Sequence, residues 1–270
     1  MPNHITNILS FKGNEEYIIR LKTFIKSNDE QLIDFKKIVP FPKELENTVS
    51  PTRKYITAEE YILQEERLAR NELTEDEKKW GISRYLTKEL SEEYINKFGS
   101  DNWYDWSRHN WDTKWNAYDT YDNGEDISFD TAWSCPYNVI LQLSKLFPEV
   151  NITLQYADED IGQNVGVIEF YNGEEVDRNI PEDEDEALEL AANIKGDDYY
   201  LNGEYLREIL EDGGSVEEEF SKRLLRIMYK NNDLDSSNID ILESLLKLAI
   251  ENNDLSKQET IRSNINKKTS

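Results

Sequence analysis

Disulfides, membrane spans and phosphate-backbone binding are all poorly provided for in this sequence. It holds a single cysteine, Cys135, which leaves no intrachain disulfide, no Cys-based zinc site and no iron–sulfur ligation. No apolar run approaches the ~18 residues that a membrane span requires. The first residues show no basic stretch followed by an apolar one, so no secretory leader is expected and the chain reads as soluble and cytoplasmic. Bases are scarce: 31 Lys and Arg stand against 56 Asp and Glu, a net charge of −25. Phosphate and anionic-lipid surfaces are gripped by Lys and Arg, so direct binding to either is disfavoured. What the charge leaves open is a basic partner, a cation, or solubility alone. No Gly-rich phosphate loop, zincin helix or nucleophile elbow is found.

Aromatics, in contrast, are plentiful. With 15 Tyr, 9 Phe and 6 Trp among 270 residues, the chain is too aromatic for a disordered acidic segment. A core is therefore expected, in one large domain or two small ones. Residues 4–11 read as a strand, and Asn14 as the cap of a helix carrying Ile18, Leu21 and Ile25. A short strand is expected from about Leu32 to Val39, ended by Pro40 and Pro42, giving a β-α-β opening. Residues 43–100 read as a charged helical insertion, with helix starts at Thr57, Thr74 and Ser91. Then Ile127–Trp133 reads as a strand, Val139–Phe147 as a helix, and residues 151–156 and 165–171 as strands. Asn172-Gly173 signals a tight hairpin turn. Helices follow over Glu182–Ile194, along the stripe Val216, Phe220, Leu224, Ile227, and from Ile239 to Ala249. Lys257–Ser270 reads as a frayed polar tail.

The charge is not uniform. Residues 1–150 hold 27 acids and 19 bases, net −8, and residues 221–270 hold 7 acids and 9 bases, net +2. Residues 151–220 hold 22 acids and 3 bases, net −19. Such concentration suits a binding face, with Asp158, Glu159, Asp160, Glu174, Glu175, Glu182, Asp183, Glu184, Asp185 and Glu186 as its candidate residues. Acids at the first turn of a helix also favour the helix itself, whatever the function, so a solvated face without a partner is the competing reading.

Two central segments carry a resemblance. Asn110-Trp111-Asp112-Thr113-Lys114-Trp115-Asn116-Ala117 and Phe129-Asp130-Thr131-Ala132-Trp133-Ser134-Cys135-Pro136 resemble the paired signature of the YubB/Api92-like ferredoxin-like proteins of phages and mobile elements. The opening Met1-Pro2-Asn3-His4-Ile5-Thr6-Asn7 and Phe35-Lys36-Lys37-Ile38-Val39-Pro40-Phe41-Pro42 are similar to that family's start and its Pro-bounded strand. The likeness extends over about residues 1–175, with 43–100 variable, and two positions depart from it: Asp112 stands where Gly is usual and Cys135 where Pro is usual. The resemblance implies an α+β fold with a ferredoxin-like antiparallel sheet and helices on one face. That core would occupy residues 1–180, followed by an acidic helical region over 181–270. It supplies no catalytic residues.

Among chemistry-bearing residues, Trp111, Trp115, Phe129 and Trp133 are expected to form a structural aromatic framework, since base stacking needs a basic groove and only Lys88, Arg108 and Lys114 are near in sequence. His109 with Cys135 as a nucleophilic pair, and Asp119, Asn123, Gly124 and Asp130 as a calcium loop, are each weakly supported. No cofactor, metal site or catalytic residue is expected. The leading functional reading is a non-enzymatic mobile-element protein that binds a basic host-protein surface, one concrete version being an anti-defence inhibitor that occupies a basic nucleic-acid site. The alternatives are a nucleic-acid-binding module using the sheet face and a carboxylate/metal-dependent enzyme. Oligomeric state is not legible.

Overall fold

The computed structural model describes residues 3–27, 31–51, 54–196, 218–230, 232–236 and 238–269. The chain divides into two compact units: residues 1–154 with 168–178, and residues 155–167 with 179–270. The architecture is α+β, a six-stranded sheet in the order β2-β3-β1-β4-β5-β6. Its strands are β1 (His4–Lys12), β2 (Tyr118–Asp122), β3 (Ile127–Ala132), β4 (Asn151–Asp158), β5 (Gly166–Tyr171) and β6 (Glu174–Asn179). β1 lies between β3 and β4, and it pairs antiparallel with β3 in the register Ile5↔Thr131 and Leu9↔Ile127.

In the first unit, alternation sets the two faces of the sheet. Ile5, Leu9, Ile127 and Phe129 are buried, while Thr6, Ile8, Ser128 and Asp130 are half-buried on the other side. Helix α1 (Glu15–Ile25) is capped by Asn14, whose side chain accepts from the Glu16 N–H, and it buries Leu21 and Ile25. The expected strand over 32–39 is instead a short helix, α2 (Phe35–Ile38), capped by Asp34. Phe35 and Ile38 are spaced three apart and both face the core, and in so short an apolar run the two periods cannot be told apart by pattern. The opening is therefore β-α-α.

The insertion holds α3 (Ala58–Ala69), α4 (Glu75–Trp80) and α5 (Lys88–Phe98). Thr57 and Thr74 begin the first two through complete capping boxes. The third starts at Thr87 rather than Ser91; Ser91 is buried mid-helix and donates to Asp101 Oδ2 at 2.7 Å. No residue of α3 is buried. It is held by polar contacts, with Arg84 donating to Glu65 Oε1 at 2.7 Å, the Tyr61 hydroxyl at 2.8 Å and the Glu44 carbonyl at 2.6 Å. α6 (Trp103–Asn110) and α7 (Tyr137–Leu146) complete this unit's helices, and α6 and β2 have no counterpart in the sequence reading.

The second unit carries α8 (Glu184–Lys195), α9 (Glu218–Lys230), α10 (Ile239–Glu251) and α11 (Leu255–Thr269). Leu188, Ile227, Met228, Leu242, Leu245, Ala249 and Ile261 share one buried cluster. Val216, at the head of the expected stripe, lies outside the described residues. The expected frayed tail is the helix α11: Ile261 is buried, and Gln258 Nε2 donates to the Ala249 carbonyl at 3.1 Å. Only Ile261 and Ile265 form its apolar stripe, too narrow a signal to stand out in a charged segment. No helix among the described residues is long and apolar enough to cross a membrane.

Candidate functional site

The Phe35–Pro42 segment and the Asn110–Ala117 segment are clasped together. Trp111 is buried, and its Nε1 donates to the Val39 carbonyl at 2.9 Å. Its ring meets Phe35, Phe41 and Trp106, with centroids 5.9, 5.7 and 5.4 Å away. Asn116 closes the clasp: its Oδ1 accepts from the Phe35 N–H at 2.8 Å and its Nδ2 donates to Asp34 Oδ1 at 2.7 Å. Phe35 then contacts Phe129 edge-on, tying both to β3. Trp111 and Phe129 are both buried in this cluster.

Two turns in this region sit in the left-handed backbone region, Asp112 at φ 65° and Trp133 at φ 79°. That conformation is costly for a bulky side chain, of order 1–3 kcal/mol. At Asp112 the side chain compensates. Its Oδ2 accepts from the Asn138 N–H at 2.6 Å and its Oδ1 from Asn138 Nδ2 at 3.0 Å. Asn138 lies in the first turn of α7, whose own cap position, Pro136, supplies no side-chain hydrogen bond. Asp112 therefore caps α7 from 26 residues upstream. A buried chain continues from it: Ser134 Oγ donates to the Asp112 carbonyl, Thr131 Oγ1 to the Ser134 carbonyl at 2.8 Å, and Asn7 Nδ2 to Thr131 Oγ1 at 2.9 Å. Burial pushes the Asp112 carboxyl up, and the Asn138 N–H partly offsets it.

Trp115 and Trp133 do not join the core. Trp115 is 37% exposed and Trp133 is half-buried. Lys114 Nζ lies 4.6 Å from the Trp115 ring centre and 5.0 Å from that of Trp133. Arg108 adds a second cation, 5.9 Å from the Trp133 ring and 5.7 Å from Tyr104, which meets Trp133 edge-on. Beside them Trp115 approaches Tyr118, whose hydroxyl is 2.7 Å from His4 Nδ1. These residues make a half-exposed rim of rings and cations at the β2–β3 edge. Tyr104 gives no signal by pattern because it lies on α6, unrecognised in the sequence, and Arg108, on the same helix, stands out there only as a cation near the Trp cluster.

The candidate acids fall in both units, Glu174 and Glu175 in the first and the other eight in the second. Several are engaged internally. Asp158 is buried, accepting from the Asp160 N–H at 3.0 Å. Asp183 caps α8, accepting from the Asp185 and Glu186 N–H groups. Asp185 pairs with Arg226 at 2.7 Å, and Glu175 is held by Arg178 Nε and Nη2 and by Tyr137, which pull its carboxyl below the ordinary range. Glu159, Asp160, Glu174, Glu182, Glu184 and Glu186 are exposed. In the second unit the 158–163 turn packs on α8: a Cβ on Gly162 would lie 3.5 Å from the Leu188 backbone, and Lys195 Nζ donates to the Asp158 carbonyl at 3.1 Å. The exposed acids Glu159 and Asp160 thus sit on a turn that packs against α8, the helix that Glu182 and Glu186 flank and begin. Nine further acids of the 151–220 segment, Asp197 to Glu219, have side chains outside the described residues.

Comparison with known proteins bears on residues 110–198, which match the family described as the ferredoxin-like domain in Api92-like protein. That stretch is similar to an Api92-like ferredoxin-like domain. The match opens at Asn110, at the clasp, and takes in β2 through β6 with α7 and α8. It reaches 198 rather than ending near 175, so the acids of α8 fall inside the Api92-like span and not beyond it. A solved structure, protein api92 from Yersinia pseudotuberculosis, is similar at 11% identity and a TM-score of 0.36, covering 68% of this chain and 99% of that one. No curated protein matches.

Within the matched span Cys135 is not an activated nucleophile. Burial, and then the nearby Asp112 charge, push its thiol up to about 12. His109 Nδ1 is engaged with the Asp105 carbonyl at 2.6 Å. Among the described residues no group of three or more His, Cys, Asp or Glu is placed to hold a metal ion.

Proposed function

We propose that this chain is a non-enzymatic binding protein of a mobile element, which engages a basic host-protein surface through the acids around α8. The observation that carries the reading is the packing of the 158–163 turn on α8, which gathers Glu159 and Asp160 beside the helix that bears Glu186. Exposed carboxylates at such density compete with phosphates for Lys and Arg, and an inhibitor seated in a basic nucleic-acid channel of a host defence protein is the concrete form proposed. Retention of a basic partner on the immobilised chain should fall steeply as salt is raised through the physiological range. Salt-insensitive retention, or none at low salt, contradicts the reading.

The sheet-face nucleic-acid reading draws less support. Along β1 and β3 the half-buried face offers mostly Thr6, Ile8, Ser10, Ser128 and Asp130, with a ring and a cation only at the two ends of β1, His4 and Lys12.

A further inference from the structure

The rim of Trp115, Lys114, Trp133 and Arg108 gathers two indoles and two cations in one place. Several cations elsewhere are spent on carboxylates, as in Arg84 with Glu65, Arg226 with Asp185 and Lys230 with Glu189. Among the described residues neither Arg108 nor Lys114 has a carboxylate within ion-pair distance; both are held over the Trp133 ring instead. The acids of the same stretch are turned to other partners: Asp105 Oδ2 accepts from Asn102 Nδ2 at 2.9 Å, and both Asp112 oxygens accept from Asn138. Lys114 reaches from the Trp133 ring to that of Trp115, the most exposed ring of the clasp.

The left-handed Trp133 creates this arrangement. Its N–H donates to the Asn3 carbonyl at 2.9 Å, so the ladder between the chain start and β3 continues to the turn, and its ring centre lies 5.9 Å from the Arg108 guanidinium and 5.0 Å from Lys114 Nζ. Strained backbone held by its surroundings concentrates where a side chain must be aimed. An exposed indole offers a stacking face, and an adjacent pair of cations offers phosphate oxygens charge-assisted partners.

We propose that this rim is a binding site for a nucleoside phosphate, with the base stacked at Trp115 and the phosphate held by Lys114 and Arg108. The site goes beyond the protein-binding reading and does not depend on it. Its ligand chemistry is shared by a free nucleotide and the 5′ end of a single strand. The excess of negative charge elsewhere repels a long polyanion, so the free nucleotide is the favoured source.

The test is calorimetric titration of the full chain with ATP, adenosine, inorganic tripolyphosphate and a 5′-phosphorylated oligothymidylate. ATP should bind and weaken roughly tenfold in W115A, as loss of one base stack does. K114Q and R108Q should weaken ATP and tripolyphosphate alike, whereas W115A should leave tripolyphosphate unchanged. Tighter binding of the oligonucleotide than of ATP assigns the same site to a strand end. Circular dichroism and thermal melting establish that each variant is folded. No binding of any of the phosphate probes, or ATP binding indifferent to all three substitutions in folded variants, overturns the proposal; neither result touches salt-dependent binding at the α8 acids.

Discussion

Asp112 shows how much a single departure from a motif can mean. A residue that costs backbone energy at φ 65° returns it as a tertiary cap on α7. Asp112→Ala should lower stability by about 1–2 kcal/mol in denaturant melts, from the lost cap and the uncompensated left-handed turn. Asp112→Asn keeps an acceptor and tolerates the conformation, so it should be close to neutral. Because burial raises the native carboxyl above its unfolded value, its contribution is full at low pH and is lost as pH rises through the native pKa. The Asn variant should therefore gain on the parent as pH climbs from acid to neutral. Cys135 belongs to the same scale. With its thiol at about 12, it should react with a thiol reagent at pH 8 far more slowly in the native chain than after denaturation. Neither role was legible beforehand: the sequence shows that Asp replaces Gly, but not that Asn138 lies in reach.

At the scale of elements, capping chemistry was the most readable signal. Thr57 and Thr74 start helices where their pattern places them, and Asn172-Gly173 turns with both residues at positive φ, 51° and 77°. Gly173 also abuts Lys145, whose side chain an added Cβ would run into. Gly173→Ala should cost about 1–2 kcal/mol, seen as a lowered melting temperature. The insertion depends on Glu77, which accepts from both Arg67 terminal nitrogens at 2.5 and 2.7 Å and from the Thr74 N–H at 2.9 Å. The Arg67 hydrogen bonds chiefly hold its carboxyl near 2. A depressed native pKa means that this contribution is present above the ordinary carboxylate range and lost as pH falls toward 2. Glu77→Gln should speed amide exchange across α3 and α4 at neutral pH while leaving β1 and β3 protected. What pattern missed was α2, α6 and α11, each of which is short or narrow-striped and declared by tertiary partners such as Asn116 and Ala249.

For the whole molecule, most strands of the sheet were readable because alternation and turn chemistry are local, whereas its ferredoxin-like character was implied only by the resemblance of the paired motifs. The division of the acids was not. Sequence position groups Asp158 with Glu159 and Asp160, yet the first is buried in its own turn while the others face water. Localised charge near α8, rather than net charge, is what the proposed partner would read. The direct measurement compares two equally neutralised variants for binding to immobilised polylysine at low and physiological salt. One carries Glu159→Gln, Asp160→Asn, Glu182→Gln and Glu186→Gln; the other carries Glu59→Gln, Asp76→Asn, Glu89→Gln and Glu93→Gln, all exposed on the insertion. Loss of binding in the first with near-parental binding in the second is the predicted result. Equal loss in both would mean that only total charge matters, and would contradict a binding face at α8.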